Sequence, residues 1–262
     1  LEPPVDLARF WSGADDAHCG HVLSANYSHR EQGCILFDAF SPRLMNWLAE
    51  HDIPFIVQSN ATYDRASLPP HHSIIIDKTG AGYAATRYLI RQGHRLIGFI
   101  GSILQGGVPN PLQEGRMAAL KGCGLEDRPN HSIETFSEDA AESIPAIRAY
   151  LSQPNRPTAV LAGNDPIAAT IIGVAAELGI RVPHDLSVFG YNNDPIAATA
   201  PIPITTYDQP RERAGSGAVE LLCEVAENRP ATFVSRILEC QLVVRKSVAP
   251  WPPPPSQPEG AS

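Results

Sequence analysis

The chain has 262 residues, 43% hydrophobic and 18% charged, with a formal net charge of −8. That length and balance suit one large or two modest globular domains, and the acidic charge argues against direct binding of duplex nucleic acid. No apolar run approaches the roughly 18 residues of a membrane span, and no basic segment followed by an apolar core opens the chain, so neither a membrane anchor nor a secretory signal is expected.

In chain order, 7–18 reads as a helix and 21–25 as a strand. Strand-like runs then follow at 34–37, 55–58, 73–76, 96–100, 133–136, 158–162 and 186–189. Helical stretches lie between several of them. Thr79 precedes a helix at 80–91 and Gly93 follows it; Ser137 precedes a helix at 139–151. Such alternation implies parallel sheets wrapped by helices, with right-handed crossovers.

The segment 157–191 is the most legible. The apolar run 158–162 suits a buried parallel strand. Asp165 offers an N-cap carboxylate and Pro166 suits the first helical position. Ile167, Ile171, Ile172, Val174, Ala175 and Leu178 keep one helix face apolar. Gly179 suits the left-handed position that ends a helix. Further on, 211–227 reads as a helix whose buried face carries Ala214, Ala218, Leu221, Leu222 and Val225. The Pro-rich end, 250–262, has nothing to build a core from and reads as a loose tail. The five cysteines show no metal or CxxC spacing and read as reduced thiols.

Several of these stretches together resemble the lactose-repressor (LacI/GalR) family of bacterial regulators. The longest is Gly179-Ile180-Arg181-Val182-Pro183-His184-Asp185-Leu186-Ser187-Val188-Phe189-Gly190-Tyr191, preceded by Asn164-Asp165. The runs IIIDKTGAGYAATRYLIRQGHRLIGFIG from Ile74, IPITTYDQPRERAGSGAVELL from Ile202 and CQLVVRKSVAP from Cys240 carry it further. GCILFDA and IPFIVQSN are similar to two earlier family strands, so the resemblance covers roughly 33–250.

That resemblance implies an α/β fold of two Rossmann-like subdomains with parallel sheets, of the type I periplasmic-binding-protein kind, joined by three crossing strands. The crossings are expected near Asp77, near Tyr207–Pro210 and near Val234–Arg236. The N-terminal subdomain would hold 1–76 with 208–233, the C-terminal one 77–207 with 234–249, leaving 250–262 as the tail. The N-terminal subdomain reads as incomplete. Two linked βαβ units would need about 60 residues before the GCILFDA strand, and only Leu1 to Gly33 stand there. A DNA-binding head would lie upstream, so operator DNA is expected as a partner only through that missing domain. The resemblance also implies a small-molecule effector, a homodimer, a cytoplasmic location and no cofactor.

It further places the effector between the subdomains, at strand ends and loops. Ser59, Asp77, Leu161, Asn164 and Asn192 fall on its effector-facing positions. At Leu112 the family pattern RxxGFxxAL becomes Leu112-Gln113-Glu114-Gly115-Arg116-Met117-Ala118-Ala119-Leu120. Leucine there replaces an anchoring arginine, and Asn192 stands where the family has an aspartate. Arginine offers a fork of donors and leucine none; asparagine is neutral where aspartate is an acceptor only. The implied pocket is short of charge and suits a neutral ligand.

Each choice has a structural rival. Asp165 and Asp77 suit helix caps. Asn192 and Asn193 suit a turn. His94 suits a loop residue that bonds backbone, and adjacent His71 and His72 point in different directions, with no carboxylate near in sequence to complete a metal site. Gly101-Ser102 with Gly106-Gly107 lacks the spacing of a phosphate loop. The expected function is therefore effector sensing by a transcription regulator. The alternative is a solute-binding protein of the same fold. No G-x-S-x-G elbow, paired catalytic carboxylates or Cys–His pairing argues for an enzyme.

Overall fold

The computed structural model describes residues 22–27, 31–37, 42–60, 68–102, 104–105, 108–128, 131–135 and 140–252. The chain divides into two units, Leu1–Asp77 with Pro210–Leu238, and Lys78–Gln209 with Glu239–Ser262. The helix expected at 7–18, Ser137, and positions 253–262 lie outside the described residues.

Unit 1 contains β1 (Val22–Tyr27), β2 (Glu31–Phe37), α1 (Pro42–Glu50), β3 (Phe55–Ser59) and β4 (His72–Ile76). The chain returns later to add α7 (Arg211–Asn228) and β12 (Ser235–Leu238). The sheet order is β1-β2-β3-β4-β12, parallel from β2 onward. Strand β1 runs antiparallel to β2, with Val22 opposite Leu36 and Tyr27 opposite Glu31. The sequence reading had put a βαβ strand there. Only 28–30 separate the two strands, far fewer than the dozen or so residues a parallel crossover needs, so a hairpin forms instead.

Period-2 alternation sends the strand side chains to opposite faces. Cys34, Leu36, Phe55 and Val57 meet Leu44, Met45 and Leu48 of α1. The other face receives α7. There a Cβ on Gly33 would stand 2.9 Å from a Leu222 methyl. The buried residues of α7 are Ala214, Ala218, Leu221, Leu222 and Val225, the face expected from the sequence.

Strand β12 corrects the expected division. Residues 234–238 had been assigned to the second subdomain. A parallel ladder from Ser235↔Ser73 to Leu238↔Ile76 holds them in unit 1, so the crossing falls after Leu238. His72 reinforces this, since its Nδ1 accepts the Val234 N–H at 3.1 Å. Asp208 moves the other way, because it pairs with Gln241 inside unit 2.

Unit 2 opens with α2 (Lys78–Arg91), β5 (Ile97–Gly101), the short hairpin β6 (Leu104–Gln105) and β7 (Val108–Pro109), and α3 (Pro111–Gly122). Next come β8 (Ser132–Glu134), α4 (Ala140–Leu151), β9 (Ala159–Ala162), α5 (Asp165–Glu177), β10 (Ser187–Phe189) and α6 (Pro195–Thr199). Strands β11 (Thr206–Asp208) and β13 (Gln241–Val243) form an antiparallel pair. The main sheet is parallel, in the order β10-β9-β5-β8. Phe99, Leu161 and Phe189 face Ala81, Ala85 and Leu89 of α2 and Leu112 and Leu120 of α3. Ile100, Val160, Ala162 and Val188 face Ile147 and Tyr150 of α4 and Ile171 of α5.

Helix α5 begins one residue away from the expected cap. Asn164, not Asp165, is the N-cap, and its side chain accepts the Ile167 N–H at 2.9 Å. Pro166 is thus the second helical residue. Gly179, at φ +72°, ends the helix as read from the sequence, with Ile180 N–H bonded to Ala175 O at 2.8 Å.

Arg116 is fully buried in α3. Its guanidinium donates to Gln113 Oε1, to Ile97 O, and to Asp127 Oδ1 and Ser132 Oγ, the last two at 2.7 Å. A buried cation requires such complete bonding, because water no longer solvates it. His94 is equally buried and joins three segments: Nδ1 to Thr158 Oγ1 at 2.9 Å, Nε2 to Ser187 Oγ at 3.0 Å and to Ala249 O at 3.1 Å. Trp251 stacks on its ring and donates its N–H to Gln92 O. The tail was expected to loosen from Pro250; it remains anchored through Trp251, because His94 and Gln92 supply partners the sequence does not advertise.

Helices α2 and α3 approach through glycines. A Cβ on Gly115 would stand 2.1 Å from Thr79 O, while one on Gly173 in α5 would meet nothing within 4 Å. Gly115→Ala should therefore lower the melting temperature, since backbone has to move. Gly173→Ala should raise stability by about 0.5–1 kcal/mol, the helix-propensity difference. Thermal melts of the two variants check both signs.

Candidate functional site

Unit 2 has one place where its topology opens a ligand position. The chain leaves β5 for β8 on one side and returns to β9 and then β10 on the other. The order reverses between β5 and β9, and open α/β sheets bind ligands outside the carboxyl ends of strands at such a switch point. Here those ends are Gly101 and Gly163. Added Cβ atoms would lie 2.9 and 3.2 Å from the opposite Cα, so only glycines let the two strand ends come this close. Asn164 follows at once as the cap of α5.

Asp165 is fully buried behind this rim. Its N–H donates to Tyr191 O at 3.0 Å, and its Oδ2 accepts the Asp194 N–H at 2.8 Å. The carboxylate is closely fitted: a Cβ on Gly190 would stand 2.0 Å from Oδ1. Burial pushes the carboxyl up to about 6, against the Thr206 hydroxyl, the Asp194 amide and Arg245; the Asp194 carboxylate adds to the rise.

What Asp165 holds is the loop after β10. Asn192 and Asn193 take positive φ of 110° and 55°, which asparagine tolerates better than most side chains. The Asn192 amide donates to Asp194 Oδ2 and accepts from Gln209. Asn193 Oδ1 accepts from Arg245 at 2.7 Å. Asn192 N–H donates to Tyr207 O, tying the loop to β11.

The residues expected to face an effector separate accordingly. Ser59 ends β3 and Asp77 follows β4, on adjacent strands of unit 1; Ser59 is buried, and the Asp77 N–H donates to Leu238 O at 2.9 Å. Asn164 and Asn192 lie at the carboxyl edge of unit 2, where both also shape backbone. Leu112 and Leu161, at 1% and 0% exposure, belong to the core between the sheet and helices α2 and α3, and present no surface to a ligand. The helix α3 explains Leu112: its backbone abuts Gly82, where a Cβ would stand 2.3 Å from Leu112 O. Leucine and arginine stand one helical turn apart at 112 and 116, and both are buried, the first among apolar groups and the second among acceptors.

Sequence reading missed Asp165 as a buried anchor, together with Thr206, Gln209 and Arg245. Nothing in their spacing marks them, since their contacts join segments 17 to 80 positions apart only after folding. Among the described residues no group of three His, Cys, Asp or Glu is placed to hold a metal, and no helix is long and apolar enough to cross a membrane.

The periplasmic binding protein-like domain model matches residues 86–248. The chain belongs to this family. It is 30% identical over 204 residues to the HTH-type transcriptional repressor CytR of Escherichia coli (strain K12), covering 78% of this chain and 58% of that protein. It is 33% identical over 219 residues to the HTH-type transcriptional repressor PurR of Yersinia pestis bv. Antiqua, covering 83% and 63%. The chain thus spans about three fifths of these relatives. Among solved structures it is similar to the transcriptional regulator CelR in complex with cellobiose, at 27% identity and a TM-score of 0.69, covering 81% of this chain and 64% of that one. These bear out the LacI-type resemblance and the α/β periplasmic-binding-protein-like fold.

Within this domain Asp165 sets a pH dependence with a definite sign. Its folded pKa is raised, so its contribution to stability is fully present below the ordinary carboxylate value and is lost as pH rises through about 6. His94 acts oppositely. Burial depresses it to about 4 against the pull of the Ala249 carbonyl, so its contribution is present above the ordinary imidazole range and is lost as pH falls through about 4. Asp165→Asn keeps an acceptor for the Asp194 N–H and removes the buried charge. It should melt higher than wild type at pH 7.5, with the gap closing by pH 4. Paired melts across that range check this; a gap that widens on acidification would refute it.

Proposed function

We propose that this chain is the effector-sensing domain of a LacI-type transcriptional regulator and binds a small neutral molecule. The single observation that carries the reading is the glycine-lined switch point of unit 2, in a domain of this family. Its half-buried polar groups, Asn164 and Asn192, are neutral, while Asp165, the carboxylate beside them, is fully buried and bonded to its own loop. Within unit 1, Ser59 and Asp77 at the strand ends are the candidate contacts. That CelR has been captured with cellobiose supports a hydroxyl-rich neutral ligand. Contact with operator DNA would come from a head in the parent protein, and two-fold operators would call for a homodimer. A regulator of this kind works in the cytoplasm and needs no cofactor.

The test is a thermal-shift panel of cellobiose, ribose, glucose 6-phosphate, hypoxanthine and citrate. A neutral member at about 100 times its Kd should stabilise the fold by roughly 2.7 kcal/mol, a shift of several degrees. Glucose 6-phosphate or citrate as the sole responder would contradict the neutral pocket.

A mobility-shift assay addresses the DNA half. With a net charge of −8 the chain should show no sequence-dependent binding of duplex DNA at physiological salt. Nanomolar, sequence-selective retardation would place a DNA-reading surface within this chain.

A further inference from the structure

Among the described residues of unit 2, three buried side-chain oxygens lack a hydrogen bond of ordinary geometry: Thr135 Oγ1, Asp165 Oδ1 and Thr206 Oγ1. Asp165 and Thr206 face one another, since the Thr206 hydroxyl is one of the groups that steadies the Asp165 carboxylate. Thr135 is different. It stands one residue past the end of β8 and is 6% exposed, and its own N–H donates to Gly101 O at 3.2 Å. Its main chain is thereby fastened to the strand end that forms the switch point.

The direction of the side chain follows from strand periodicity. Thr135 shares parity with Ile133, which packs against the core formed with α4 and α5. Thr135 thus occupies the carboxyl rim of the sheet on the face those helices cover, next to β5 and across it from β9. Buried hydroxyls in native proteins are almost always bonded, and one left alone costs free energy that a valine of the same shape would not. A threonine there is left to a partner from outside the chain, solvent or ligand.

We propose that the Thr135 hydroxyl is a hydrogen-bonding contact for the effector at the switch point of unit 2. This rests on the effector-domain reading and narrows it. A hydroxyl both donates and accepts and selects no charge. It fits a sugar hydroxyl or the ring nitrogen or carbonyl of a heterocycle, and gives no advantage to a phosphate or carboxylate.

The experiment uses the full chain with Thr135→Val, which keeps the shape, and Thr135→Ser, which keeps the hydroxyl. Cellobiose, ribose, adenosine and hypoxanthine are titrated calorimetrically into all three proteins. The neutral probe that binds wild type should bind Thr135→Val roughly tenfold more weakly, and Thr135→Ser within about threefold of wild type. Without any probe, Thr135→Val should melt no lower than wild type.

Equal affinity of Thr135→Val and wild type for a bound probe would mean that solvent alone serves the hydroxyl, and the inference fails while the effector-domain reading stands. A clear drop in the melting temperature of unliganded Thr135→Val would show a bond within the protein and also overturn it. If none of the four probes binds wild type, the effector reading and this inference fall together.

Discussion

The close approach of β5 and β9 at Gly101 and Gly163 governs the architecture of unit 2. A parallel sheet covered on both faces has its open side at the strand ends, and the reversal of strand order decides where that opening lies. At this junction the two Cα atoms come near enough that neither residue can carry a side chain without displacing backbone. The cap of α5, the buried Asp165 and the Asn192–Asn193 loop all radiate from this point. A larger residue at either position would force the strand ends to shift apart locally.

A second constraint is charge in the interior. Three of the ionisable side chains that unit 2 buries, Arg116, Asp165 and His94, are each handled differently. Arg116 is surrounded by four acceptors. His94 stays neutral, with one ring nitrogen facing a carbonyl that can only accept and the other facing a hydroxyl. Asp165 is bonded on one oxygen and closely fitted on the other, and burial raises its pKa so that its two protonation states balance near pH 6. Buried polar groups of this kind join segments distant in sequence more selectively than apolar contacts, because few arrangements satisfy them.

Much of this was legible beforehand. The apolar run before Gly163 and the spacing of Ile167, Ile171 and Ile172 are local patterns, and local patterns fix strands and helix faces. The same held for α7 and for the Gly179 terminus. Failures came where partners are remote. Asp165 was read as a cap because aspartate before proline commonly is one, but Asn164 took that role and Asp165 turned inward. Leu112 was read by position in a motif, which says nothing of the glycine-mediated contact that sinks α3 against α2. The antiparallel β1 reflects the three-residue spacing to β2, visible in the sequence yet overridden by the family pattern. Thr135 carried no sequence signal, since a threonine after a strand is ordinary until its hydroxyl is found buried.

The discontinuity of both units bears on how the chain is made. Synthesis proceeds from the N-terminus, and domains fold as their parts emerge. Unit 1 lacks α7 and β12 until residue 238 has appeared, so the outer edge of β4 and the sheet face that α7 covers stay bare until then. Unit 2 is closed later still, when Ala249 and Trp251 reach His94. The two units therefore complete almost together, one with β12 and the other with Trp251. A chain of this design leaves apolar surface uncovered for longer during folding than one whose domains lie in single stretches.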